Sequence, residues 1–112
     1  MAMTAYLDID QGSDFTTEIE LENDDGTPMS LANALVYSQF RKSYGSTTAF
    51  QFTTEISDTL HGKFKLSLPG VVSSTIKPGR YLYDVELLFS GQRKLRVVEG
   101  IVTINAEITR IP

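Results

Sequence analysis

Alternation of apolar and polar residues is the feature of this sequence that most limits its fold. Phe15, Thr17, Ile19 and Leu21 alternate with hydroxyl or acidic residues, and similar stretches recur along the chain. Successive side chains of a β-strand point to opposite faces, whereas a helix repeats every 3.6 residues. The pattern therefore predicts strands that bury one face and expose the other. Residues 71–76 could form one helical turn, but they are too few and too rich in β-branched side chains to form a stable helix on their own.

Turn-forming residues divide the chain into seven such strands. The predicted strands cover residues 6–10, 15–21, 35–41, 50–56, 63–68, 80–89 and 93–109. The apolar residues change phase along the last strand, so we predict a β-bulge at Glu99-Gly100 that adds one residue. Short strands with almost no helix predict an all-β fold, an antiparallel immunoglobulin-like β-sandwich of about seven strands. A small barrel is the alternative architecture.

The length of the chain suits one compact domain. It has 112 residues, so we expect a single immunoglobulin-like sandwich domain over residues 1–112. It contains no cysteine, so apolar packing rather than a disulfide must hold the two sheets together. Large aromatic side chains supply much of the apolar area buried in such cores. The expected core aromatics are Phe15, Phe40, Phe52, Phe64, Tyr81 and Tyr83.

The segment 77–83 resembles the corner of immunoglobulin-type folds. It reads Lys-Pro-Gly-Arg-Tyr-Leu-Tyr. In that corner a tyrosine lies two residues before a core position, and its hydroxyl group bonds back to nearby backbone. The resemblance implies this role for Tyr81 and places Tyr83 where antibody domains have a cysteine.

Residue types that most enzymes require are scarce here. The absence of cysteine excludes a thiolate nucleophile or ligand, and His61 is the single histidine. Several aspartates could offer oxygen ligands to Ca²⁺, but none has the spacing of an EF-hand loop; they are Asp8, Asp10, Asp14, Asp24 and Asp25. We therefore predict no enzymatic activity, no catalytic residues, no cofactor and no metal.

Charge is unevenly distributed along the sequence. Residues 1–40 carry eight acidic residues and no base, whereas residues 41–112 carry ten bases and six acidic residues, so the halves are −8 and +4 and sum to −4. This separation could steer one copy toward another or toward a basic partner, although Glu18, Glu20 and Glu22 also fit the solvated face of one strand. The acidic balance argues against nucleic acid as a partner. With no apolar run long enough to span a membrane and no visible signal peptide, a membrane is not expected either.

Four segments are informative as a set. Residues 24–28, 41–48, 78–86 and 99–104 read Asp-Asp-Gly-Thr-Pro, Arg-Lys-Ser-Tyr-Gly-Ser-Thr-Thr, Pro-Gly-Arg-Tyr-Leu-Tyr-Asp-Val-Glu and Glu-Gly-Ile-Val-Thr-Ile. In this order they resemble small structural proteins of tailed bacteriophages, especially T4-like phages of cyanobacteria. They are also similar to the immunoglobulin-like N-terminal domain of baseplate upper proteins.

The resemblance implies a non-enzymatic virion structural protein, assembled in the host cytoplasm and located in the virion. It would dock through loops and strand edges onto other virion proteins in the tail, baseplate or fibre-attachment region, as a homo-oligomer or in multiple copies on a symmetric particle. One alternative is a capsid decoration protein on the outer surface of the head. Another, of a different class, is a carbohydrate- or receptor-binding module. Such a module needs an exposed aromatic platform, whereas the candidate aromatics Tyr6, Tyr37 and Tyr44 lie far apart in the sequence.

Two segments are expected to contact a partner. The first is the loop 41–48, and the second is the tail 107–112, which keeps apolar residues at the chain end where a monomer would gain little from them. The candidate strand edges are the first strand, residues 6–10, and the stretch after Gly100. An unguarded strand edge or tail of this kind can add to a neighbour's sheet. A last strand that only completes its own sheet is the alternative for the tail. The candidate interaction residues are Arg41, Lys42, Tyr44, Ile108, Arg110 and Ile111.

Overall fold

A computed structural model describes residues 2–109, which form two β-sheets packed face to face. The elements in chain order are β1 (Met3–Thr4), β2 (Leu7–Asp10), β3 (Phe15–Glu20), β4 (Ala34–Arg41), β5 (Phe50–Gln51), β6 (Thr53–Asp58), β7 (Lys63–Leu68), α1 (Gly70–Ser73), β8 (Gly79–Phe89) and β9 (Lys94–Asn105). The larger sheet has the order β1-β9-β8-β4-β5, with β2 also paired to β9, and the smaller sheet has the order β3-β7-β6. This arrangement confirms the all-β sandwich.

The strand order is that of an immunoglobulin-type sandwich. In the letters used for that fold, β3, β7 and β6 are strands B, E and D, and β4, β8 and β9 are strands C, F and G. Most neighbouring strands are antiparallel, as predicted. The first predicted strand is different, because β1 and β2 both run parallel to β9. The chain enters the larger sheet at its edge and then crosses to the smaller one.

The predicted strand 50–56 is shared between the two sheets. Its first part, β5, pairs with β4 in the larger sheet, and its second part, β6, pairs with β7 in the smaller sheet. Phe52 lies at the crossing point, fully buried, and its backbone N–H donates to the Ser38 carbonyl at 3.0 Å. The alternation of buried and exposed side chains continues through the crossing, because the residues before and after Phe52 keep the same inward-facing phase.

The β-bulge lies two residues before the predicted position, which begins at Glu99. Val85 pairs with Val98 and Glu86 pairs with Arg96, so Val97 is the extra residue in β9. Val97 and Val98 are both buried, which is how the strand changes phase. The prediction of a bulge at Glu99-Gly100 is therefore wrong. Gly100 has another role, since a Cβ there would collide with the Ala5 carbonyl oxygen.

Aromatic residues fill the space between the sheets. Phe40 lies against Phe52 with ring centroids 5.0 Å apart and meets Tyr81 edge-on at 5.6 Å. The six predicted core aromatics are all buried except Phe15, which is partly buried against the same core. The Tyr81 hydroxyl donates to the Lys77 carbonyl at 2.5 Å, so the tyrosine corner forms as the resemblance implied.

Tyr83 stands where antibody domains have a cysteine of the inter-sheet disulfide, but its hydrogen bond lies within the larger sheet. Its hydroxyl donates to the Ala5 carbonyl at 2.8 Å, across 78 positions of sequence. This bond ties β8 to the segment that joins β1 to β2. Burial raises the pKa of Tyr83 to about 12, because the phenolate would lose its hydration there.

The outer face of the smaller sheet brings together acidic and basic side chains, although most of the acidic residues come from the first part of the sequence. Lys65 on the central strand β7 has Glu18 and Glu55 as its register neighbours, and Lys63 lies between Glu20 and Asp58. Opposite charges on neighbouring strands stabilise a sheet modestly. The acidic front half and the basic back half of the chain therefore interleave on this face. Glu18 and Glu20 lie on the solvated face of β3, as predicted, whereas Glu22 is exposed beyond the end of that strand.

Candidate interaction sites

The predicted interaction residues separate into three places. Arg41 and Tyr44 line the outer face of the larger sheet. Lys42 turns instead toward the tyrosine corner, with its Nζ 4.9 Å from the centre of the Tyr81 ring. Ile108 lies beyond the end of β9, which stops at Asn105 rather than at residue 109 as predicted. Arg110 and Ile111 lie outside the described residues.

One end of the sandwich carries exposed apolar side chains, and we call this group the end patch. It consists of Val71 and Val72 on α1 and Ile108 on the tail. Val71 is 80% exposed and Ile108 is 96% exposed. Both segments pack on Gly12, since a Cβ at that position would meet the Glu107 carboxylate and Gly70 lies directly on the Gly12 carbonyl. The helical turn and the tail thus both lie beside Gly12 at this end of the sandwich.

Hydrogen bonds hold the end patch in place. The fully buried Ser73 hydroxyl accepts from the Gly12 N–H at 3.0 Å. The Gly70 N–H donates to the Asp14 carboxylate at 2.6 Å. The Gln11 side chain accepts from the Glu107 N–H at 3.1 Å and donates to the Ile76 carbonyl at 3.0 Å. The exposed apolar side chains therefore stand on a backbone that the sandwich has already ordered.

The loop 41–48 is fixed by its own polar groups. The Arg41 guanidinium donates to the Ser46 carbonyl at 2.8 Å and to the Gln39 side chain at 3.2 Å. Ser43 and Ser46 close the loop, with the Ser43 N–H donating to the Ser46 hydroxyl at 3.1 Å. Tyr44, at the tip, is 84% exposed. A rigid loop that presents an aromatic side chain loses little entropy on binding.

A groove of about 440 Å³ crosses the outer face of the larger sheet, and we call it the outer-face groove. Its apolar floor is one row of the sheet, where Leu82 pairs with Arg41 on one side and with Ile101 on the other. Tyr6 borders the groove beyond Ile101 and is 71% exposed. Tyr44 borders it as well. Two exposed tyrosines thus line one apolar row.

A charged row lies beside this floor. Asp84 and Glu99 are direct register neighbours, which places two carboxylates opposite each other. Arg96 bridges them, with Nε 3.1 Å from the Asp84 carboxylate and a terminal nitrogen 3.5 Å from that of Glu99. The bulge at Val97 sets the register in which Arg96 faces outward beside Glu86. The row contributes both donors and acceptors to the groove.

Sequence reasoning missed this groove, although part of its signal is visible. Tyr6, Tyr37 and Tyr44 lie far apart in the sequence but come to the same face, because β4 and the segment between β1 and β2 both belong to the larger sheet. Leu82 and Ile101 occupy the outward phase of their strands, where alternation predicts polar residues. These two apolar residues on a solvated face are the signal that could have indicated a site.

Within residues 2–109 no group of three or more His, Asp or Glu side chains could hold a metal ion. His61 and Asp58 form an exposed pair at 2.9 Å, and the hydrogen bond from His61 lowers the pKa of Asp58. This pair lies at the end of the sandwich away from α1. No helix in the described part of the chain has the length and apolarity to cross a membrane.

No family model and no curated protein matches the sequence. Among solved structures, an internalin-like protein of Listeria monocytogenes is 12% identical with a TM-score of 0.46, over 95% of this chain and 28% of that one. A family 123 glycoside hydrolase from Clostridium perfringens is 10% identical with a TM-score of 0.44, over 97% of this chain and 24% of that one. At these scores neither similarity indicates a function for this chain.

Proposed function

We propose that this chain is a non-enzymatic structural protein of a tailed-bacteriophage virion, docked onto another virion protein through the end patch. The observation that carries the docking site is the pair Val71 and Ile108, almost fully exposed on an end ordered by hydrogen bonds. Exposed apolar side chains of this kind mark contact surfaces, and prior ordering lowers the entropy lost on association. The assignment to a phage rests on the four-segment resemblance.

The proposed location is the tail, baseplate or fibre-attachment region. The test uses virions purified from the phage whose genome encodes the chain, separated into heads and tails. Mass spectrometry should find the protein in stoichiometric amounts with the tails. Recovery with the heads would support the alternative of a capsid decoration protein. Absence from purified virions would contradict a structural role in the particle.

The docking surface has a matched test. The variants Val71→Asp and Ile108→Asp place a charge on the end patch, and both side chains are exposed, so folding should be unaffected. Each should lower incorporation into particles at least about tenfold, because a buried unpaired carboxylate is costly at an interface. Leu60→Asp is the control, since Leu60 is 73% exposed in the turn between β6 and β7, at the opposite end. Equal incorporation of all three would exclude the end patch as the docking site.

A further inference from the structure

The outer-face groove is separate from the end patch and calls for its own ligand. Leu82 and Ile101 form its floor, and Tyr6 and Tyr44 stand exposed at its borders. Three strand spacings separate the β1–β2 edge of the sheet from β4, because β9 and β8 lie between them. Tyr6 and Arg41 are therefore about 14 Å apart across the sheet. The volume of about 440 Å³ lies in the range of small-molecule sites.

We propose that the outer-face groove binds a neutral oligosaccharide. A sugar ring has an apolar C–H face that stacks on aromatic rings and a rim of hydroxyl groups that both donate and accept hydrogen bonds. Exposed tyrosines supply the rings and, at their hydroxyl ends, further polar contacts. Arg41 and Arg96 supply donors, and Asp84 and Glu99 supply acceptors. The length of the groove accommodates more than one ring, which favours an oligosaccharide over a single sugar.

Charge in the groove decides between neutral and acidic saccharides. Five charged side chains line it, two guanidiniums and three carboxylates. Arg96 is already shared by Asp84 and Glu99, and Arg41 is bonded to the loop carbonyl of Ser46. The lining therefore has a net charge of −1 with no free cation aimed at a ligand carboxylate. An acidic sugar would meet net repulsion, so the site selects neutral ones.

The charged groups of the groove are held in position before any ligand binds. Arg96 is fixed by two carboxylates and Arg41 by a carbonyl and an amide. The loop that carries Tyr44 is closed by the serine pair Ser43 and Ser46. Such pre-organisation lets an open groove bind a flexible, polar ligand, for which the loss of entropy is otherwise too large.

The test is an NMR titration of the ¹⁵N-labelled full chain with cellopentaose, maltopentaose and tetra-N-acetylchitotetraose. At least one should bind with a Kd of about 1 mM or tighter and shift the amide signals of Leu82, Ile101 and Tyr44. Tyr6→Ala and Tyr44→Ala should each weaken that binding about tenfold. Tri-galacturonic acid, an acidic probe, should bind at least about tenfold more weakly than the best neutral sugar.

Tyr37→Ala is the matched control. Tyr37 is an exposed tyrosine on the same face but outside the outer-face groove, so its removal should change the Kd by less than about twofold. The proposal would be overturned if no neutral sugar at about 10 mM, far above the expected Kd, shifted any amide signal. It would also be overturned if the shifts were confined to other surfaces, or if the Tyr6 and Tyr44 variants bound the sugar as well as the wild type does. Occupation of the groove by a virion protein in the assembled particle would also overturn it. Each of these outcomes leaves docking through the end patch to its own test.

Discussion

Two buried tyrosines, Tyr81 and Tyr83, make the stability of this protein depend on pH. Burial raises the pKa of Tyr81 and brings that of Tyr83 to about 12, against 10.0 for an exposed tyrosine. Between pH 10 and 12 the folded chain keeps a proton that the unfolded chain releases, so its stability falls as the pH rises. Below pH 10 this contribution is fully present.

The expected result is an alkaline loss of stability. The free energy of unfolding, measured by urea titration, should decrease by about 1–2 kcal/mol between pH 9.5 and 11.5. Tyr83→Phe removes the titrating group and should make the decrease shallower, although it also loses the hydrogen bond to Ala5. The same slope in the wild type and the variant would contradict a buried, neutral Tyr83.

Gly100 is required by the backbone that passes beside it. A Cβ there would collide with the Ala5 carbonyl oxygen, which is itself held by Tyr83. We expect Gly100→Ala to lower the free energy of unfolding by about 2 kcal/mol or more, since backbone atoms must move. Gly45→Ala is the control, because nothing lies within 4 Å of the Cβ position at Gly45. If the Gly100→Ala and Gly45→Ala variants were equally stable, that result would contradict the close approach of the Ala5 backbone to β9.

At the scale of elements, the sequence predicts strands better than it predicts their partners. Alternation places β3, β4, β7 and β8 almost residue for residue, because each buries one face. It does not reveal that residues 50–58 change sheets, since Phe50, Phe52 and Thr54 keep one inward phase through the crossing. The sequence predicts the bulge at a glycine, whereas two adjacent buried valines, Val97 and Val98, produce the phase change. Pairing depends on long-range packing that a local period does not encode.

Phe52, where the chain passes from the larger sheet to the smaller one, is the joint between the two sheets, and its removal should be costly. Phe52 contacts the rings of Phe15, Phe40 and Tyr83, with centroids 5.0–6.3 Å away. Phe52→Ala should lower the free energy of unfolding by about 3–5 kcal/mol, because it leaves a cavity between the two sheets. If that variant does not fold, Phe52→Leu should cost a smaller, measurable amount. A loss below about 1 kcal/mol for Phe52→Ala would contradict its role as the joint.

At the scale of the whole molecule, the candidate sites also depend on long-range packing that a local sequence pattern does not encode. Arg41 and Tyr44 could be singled out locally because they stand in a polar loop with an exposed aromatic residue. Their neighbours in the outer-face groove, Tyr6 and Ile101, come from the two ends of the chain and meet only through the larger sheet. The end patch likewise joins α1 to the tail through Gly12. Sites assembled from distant strands are visible only once the fold is known.

The central claim is that this sandwich docks by its end patch and leaves the outer face of the larger sheet free. Cryo-electron microscopy of the purified virion tests it most directly. The account predicts density for the sandwich in the tail, with Val71 and Ile108 buried against a neighbouring protein and with Tyr6 and Tyr44 facing solvent. Density in which the end patch faces solvent while the outer-face groove is covered by a neighbour would contradict it.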